Sequence, residues 1–105
     1  MLYTKNFRYC IFGHVNEIWT TEAKNTFAKN IEYLKARWGH REVDVFVEKS
    51  FEMIDHLKIG PKPGQWAPVW KARKFLVAPQ IYLFYEIDDH NLVLFTFWNN
   101  HQKPL

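Results

Sequence analysis

Residues 70–98, WKARKFLVAPQIYLFYEIDDHNLVLFTFW, decide the architecture. Three runs rich in aromatic and β-branched side chains, 70–77, 81–88 and 91–98, are divided by Pro79–Gln80 and Asp89–His90, pairs that suit tight turns. Strands joined this closely pair antiparallel, so the spacing predicts a three-stranded meander. Placing each pair at a hairpin tip fixes an expected register. Ile87 then lies opposite Leu92, Tyr85 opposite Leu94, Leu83 opposite Thr96 and Ile81 opposite Trp98, a mostly aliphatic face. The other face carries Phe75, Tyr82, Phe84, Glu86, Val93, Phe95 and Phe97, with Arg73 across from Glu86. Asn99 and His101 continue that face at a period of two.

Upstream, Ala23, Phe27, Ile31, Leu34 and Trp38 recur every three or four residues, with Lys24, Asn25, Lys29, Glu32 and Lys35 between them. This is an amphipathic helix. Thr20 or Thr21 can cap it and Glu22 suits its first turn. Lys35 and Arg37 suit its last, and Gly39 can take a left-handed conformation after it. A second stripe, Val43, Phe46, Val47, Ile54 and Leu57, has Ser50 in line and Phe51 and Met53 beside it. Gly60, Pro61, Pro63 and Gly64 end it. The connection is short enough to predict an antiparallel helical hairpin. VNEIWT (15–20) reads as a strand before the hairpin, and KPGQWAP (62–68) as a loop after it. The expected fold is α+β: an N-terminal strand, then an antiparallel helical hairpin packed on one face of a small, mainly antiparallel sheet. Residues 1–14, MLYTKNFRYCIFGH, stand outside this scheme as an N-terminal extension of uncertain structure.

A chain of 105 residues fits one domain, and a hydrophobic share of 48 % argues against disorder. The net charge of +3 permits a nucleic-acid or acidic partner without requiring one. Cys10 is the single cysteine, which leaves no intrachain disulfide and no thiolate metal cluster. His14, His40, His56 and His90 lack ligand spacing, so neither a metal nor a small-molecule cofactor is expected. Asp88 and Asp89 read as a turn rather than an acid pair. No apolar run approaches the roughly 18 residues that span a bilayer, and a cytoplasmic protein with no membrane partner is expected. Two helices can cover only one face of the sheet. The second, aromatic face, rimmed by Lys71, Arg73, Asn99 and His101, therefore reads as a binding surface.

The order of elements resembles the RelE/ParE superfamily of bacterial type II toxins. Three segments carry the resemblance: IWTTEAKNTFAKNIEYLKARWG (18–39), ARKFLVAPQIYLFYEI (72–87) and FTFWNNHQKPL (95–105). It spans residues 15–105, which would form the toxin domain. It implies a growth-inhibiting toxin of the kind linked to plasmid stabilisation, silenced by a cognate antitoxin wrapped over it. Phe84, Phe95 and Phe97 are the expected antitoxin contacts, with Tyr82 and Asn99 as further partner or substrate contacts. RelE-like members cleave messenger RNA on the ribosome, whereas ParE-like members act on DNA gyrase. On the nuclease reading, His101 is the acid/base and Lys71 and Arg73 hold phosphate. However, Tyr82 stands where RNA-cleaving members carry an arginine on the third strand, and His101 where they often carry one in the closing segment. The thinned basic set inclines the expectation toward ParE-like action on gyrase. RelE-like cleavage and a non-toxic, partner-binding role are the alternatives.

Overall fold

The computed structural model describes residues 15–59, 64–87 and 90–100. The expected N-terminal extension and His101 lie outside the described residues. Strand β1 (Asn16–Trp19) leads into helices α1 (Thr21–Arg37) and α2 (His40–Ile59). Strands β2 (Gln65–Ala67), β3 (Ala72–Ala78), β4 (Ile81–Ile87) and β5 (Asn91–Asn99) follow. The sheet order is β1-β5-β4-β3-β2; β1 runs parallel to β5 and the other pairs are antiparallel. The α+β arrangement expected from the sequence is present. One expected loop is not: Gln65–Ala67 pairs with Ala72–Lys74 and forms an edge strand.

Local chemistry sets the helix ends. Thr20 is extended (φ −68°, ψ 164°), and its Oγ1 accepts from the Ala23 N–H at 3.0 Å, supplying one of the orphan donors of a helix start. At the far end the N–H groups of Trp38 and Gly39 both reach Leu34 O, at 2.7 and 3.0 Å. Gly39 adopts φ +114°, a conformation that costs a side-chain-bearing residue more than glycine. Trp38 therefore ends the helix instead of extending its apolar stripe, and is 64 % exposed.

Helix α1 lies on β5, and α2 lies on β3. Between the layers Phe46, Ile54 and Leu57 meet Ile81, Leu83, Tyr85, Leu92 and Leu94. Phe97 joins them, with ring centroids 5.0 Å from Phe27, 5.6 Å from Trp19 and 5.9 Å from Phe46. Near the sheet edge, Lys58 of α2 pairs with Glu17 of β1 at 2.8 Å. Glu17 also accepts from Trp19 Nε1 at 2.8 Å. Burying the ammonium costs solvation that this geometry offsets, and the pair fixes the otherwise short β1 against the helices.

The register departs from expectation at two bulges. On β3, Ala78 pairs with Ile81 but Leu76 pairs with Tyr82, so Val77 is an extra residue. On β5, Tyr85 pairs with Leu94 but Phe84 pairs with Thr96, so Phe95 is extra. One inserted residue reverses side-chain parity beyond it. Leu83 thus meets Phe97 rather than Thr96, and Ile81 meets Asn99 rather than Trp98. Arg73 lies across from Tyr85 rather than Glu86, and Lys74 across from Phe84. Phe97 and Asn99, expected on the uncovered face, face the helices instead, while Trp98 turns outward.

Helix α1 and its cap residue Thr20 supply the groups that hold the Phe95 bulge. Thr20 Oγ1 donates toward Leu94 O (3.0 Å) and Phe95 O (2.9 Å). Thr26 Oγ1 accepts from the Phe97 N–H at 2.9 Å. Asn30 Nδ2 donates to Phe97 O at 2.9 Å, and Asn99 Nδ2 donates to Asn30 Oδ1 at 3.0 Å. Backbone groups that a bulge takes out of the ladder need partners elsewhere, and these side chains provide them.

Candidate functional site

Since Ile81, Leu83 and Tyr85 face the helices, strand alternation puts Tyr82, Phe84 and Glu86 on the opposite face. A second apolar cluster forms there from Ala67, Ala72 and Phe84, with Tyr82, Phe95 and Trp98 packed against it. The aromatic face therefore exists, with altered membership. Tyr82, Phe84 and Phe95 are where the sequence placed them. Phe97 and Asn99 are only 1 % and 5 % exposed beneath α1, so neither can touch a partner without disrupting the core.

Two tryptophans complete the face: Trp98, expected on the aliphatic face, and Trp70, expected only as the start of a strand. Trp70 lies 4.7 Å from Phe84 and 5.5 Å from Trp98, centroid to centroid. A turn puts it there: the Trp70 N–H donates to Ala67 O and the Lys71 N–H to Pro68 O, each at 3.1 Å. Lys71 takes φ 53°, a left-handed conformation uncommon for a side-chain-bearing residue. The small side chains of Ala67 and Ala72 leave room for the indole to fold inward. Phe84 is consequently only 3 % exposed, so the face is partly self-covered rather than vacant. Trp70 remains half exposed, as do Leu76 on β3 and Ile18 on β1, and Val69 at the turn is almost fully exposed. The signal for Trp70 was Pro68 followed by two large apolar residues in a segment too short to bury them.

Between this turn and the start of α1 is an open cleft of about 290 Å³. Trp70, Ala72, Phe84 and Phe95 supply its apolar walls, and Thr20, Glu22, Lys71 and Thr96 its polar lining.

The two basic candidates, Lys71 and Arg73, are not brought together. Lys71 lines the cleft. Arg73 turns to the other side of the sheet, where Nη1 donates to Gly64 O at 3.0 Å and the guanidinium lies 5.8 Å from the Trp66 ring centre. Lys74 takes Arg73's expected place on the aromatic face, with Nζ 4.5 Å from the centre of the Tyr82 ring. Tyr85 Oη, buried beside Arg73, accepts from the Gly64 N–H at 3.0 Å. Burial pushes the Tyr85 phenol above its ordinary value, against the opposing pull of the Gly64 hydrogen bond and the Arg73 charge. A side chain at position 64 would collide with Tyr85 Oη, so glycine is required by close approach. Among the described residues no cluster of three His, Cys, Asp or Glu side chains could hold a metal, and no helix is long and apolar enough to cross a membrane.

No protein-family model and no curated protein matches the chain. Among solved structures, a chain of the chromosomal ParDE TA system from P. aeruginosa aligns with a TM-score of 0.65. The chain shares its fold. The alignment covers 81 % of this chain and 95 % of that one, at 12 % sequence identity. The likeness lies in the strand, helical hairpin and sheet, and the ParDE-type fold matches the architecture that the sequence resemblance implied.

Proposed function

We propose that the chain is the toxin half of a toxin–antitoxin pair, silenced by an antitoxin polypeptide laid over the aromatic face. One observation carries this reading: on a ParDE-type fold, Ile18, Trp70 and Leu76 keep large apolar surfaces exposed on the sheet face that the helices leave open. Exposed apolar groups collected in this way favour a protein partner over bulk water. Between targets, the separation of Lys71 from Arg73 favours ParE-like action on DNA gyrase. Phosphate held for RNA cleavage needs its cations convergent, and these two lie on opposite sides of the sheet.

Inducible expression in bacteria tests the proposal. Growth arrest is expected, relieved by co-expression of the protein encoded beside it. Purified protein should inhibit gyrase supercoiling and leave messenger RNA on translating ribosomes intact. Ribosome-dependent cleavage that is lost in His101→Ala would overturn the gyrase assignment in favour of RelE-like action. Absence of any growth effect would leave a partner-binding protein without toxicity.

A further inference from the structure

The cleft beside Trp70 carries two opposite charges that do not meet. Glu22 reaches it from the first turn of α1, and Lys71 from the left-handed turn before β3. Among the described residues neither side chain makes an ion pair or side-chain hydrogen bond. The Thr20 hydroxyl, by contrast, is committed to the Leu94 and Phe95 carbonyls. What remains for a ligand is an aromatic recess formed by Trp70, Phe84 and Phe95, with a carboxylate and an ammonium on its rim that are unpaired among the described residues. A volume of about 290 Å³ is at the small end for organic ligands and suits one large side chain.

We propose that this cleft seats a single large apolar side chain of a partner polypeptide, flanked by a basic residue that meets Glu22 and an acidic residue that meets Lys71. The inference rests on the reading that a polypeptide covers this face. Aromatic walls around one inserted anchor give the desolvated centre typical of an interface hot spot. The rim charges contribute little to affinity but fix the direction in which the partner chain runs, because reversing it would set like charges against each other. A nucleic acid would not satisfy this rim, since the Glu22 carboxylate would repel its phosphates.

Two capped tripeptides, Ac-Lys-Leu-Asp-NH2 and Ac-Asp-Leu-Lys-NH2, are the probes. Each is titrated into the full-length, isotope-labelled protein and followed by amide and indole NMR shifts. One peptide should bind with a dissociation constant in the millimolar range, shifting the Trp70 indole and the Thr96 amide. The other should bind about threefold to fivefold more weakly. The exposed charge swap Glu22→Lys with Lys71→Glu should invert the preference while leaving the remaining spectrum in place. No binding of either peptide up to about 10 mM, or a preference unmoved by the swap, would overturn the proposal. These outcomes do not depend on growth arrest, so the cleft chemistry and the toxin reading can fail separately.

Discussion

Ser50 sits on the core-facing stripe of α2 at 0 % exposure, and its Oγ has no hydrogen-bond partner among the described residues. An unpaired buried hydroxyl is worse than a methyl of similar size, so Ser50→Ala should stabilise the fold by about 1 kcal/mol. Thermal unfolding should report this as a rise of roughly 4–8 °C; a fall would mean the hydroxyl is bonded in solution. Tyr85 has the opposite character, since its buried phenol accepts the Gly64 N–H. Tyr85→Phe leaves that donor without its acceptor and should cost about 1–2 kcal/mol at neutral pH. The phenol also sets an alkaline limit. Its pKa in the folded chain lies above the ordinary 10.0, so the unfolded chain loses its proton first. The tyrosine's contribution is therefore whole below the ordinary value and is lost as pH rises through it toward the folded value. Denaturant titrations above pH 10 should show the phenylalanine variant losing stability less steeply, by up to about 1.4 kcal/mol per pH unit. Equal slopes would show that Tyr85 titrates alike in both states.

At the scale of the element, strand β5 is held in its bulged register by a helix rather than by its own ladder. Thr26→Val keeps the shape of the side chain but removes the acceptor of the Phe97 N–H. A cost of about 1–3 kcal/mol is expected, with faster hydrogen exchange at the Phe97 amide than at Leu92 or Leu94. Unchanged exchange at Phe97 would place the support of the bulge elsewhere. The same bulge explains what the sequence did and did not disclose. Hydrophobic period and turn residues located both helices, a cap at Thr20 or Thr21, the Gly39 exit and four of the five strands. They also fixed the pairing from Ile87–Leu92 to Tyr85–Leu94. Beyond Phe95 the period of two points each side chain to the wrong face, because an inserted residue leaves no mark in a run that is apolar throughout. The nearest signal was polar: Thr26 and Asn30, four residues apart in α1, are hydrogen-bonding groups aimed at a strand whose backbone needs them. The second bulge, at Val77, hid the exchange of Arg73 for Lys74 on the aromatic face in the same way. Gln65–Ala67 escaped because a three-residue edge strand between prolines has too little pattern to read.

Over the whole molecule, one sheet separates two apolar surfaces with different duties, and stability measurements can tell them apart. The face under the helices is closed: Phe97 is 1 % exposed and contacts Trp19, Phe27 and Phe46 from β1 and both helices. The other face is closed only where Trp70 folds over Phe84, and Leu76 near its edge is 49 % exposed. Phe97→Ala should therefore open a cavity at the junction of all three layers of contact and cost about 3–5 kcal/mol. Leu76→Ser, already half in water, should change stability by no more than about 0.5 kcal/mol. The denaturation midpoints should separate accordingly, with similar slopes if both variants unfold in two states. Had the pairing stayed regular past Phe95, Phe97 would sit on the open face and its truncation would be nearly as mild as that of Leu76. The two midpoints thus test the bulge and the division of labour together. If Leu76→Ser is neutral for the isolated chain yet weakens capture of the protein encoded beside it, the open face is a surface kept apolar for binding rather than for folding. If it destabilises the chain as much as Phe97→Ala, that face belongs to the core and no partner need cover it.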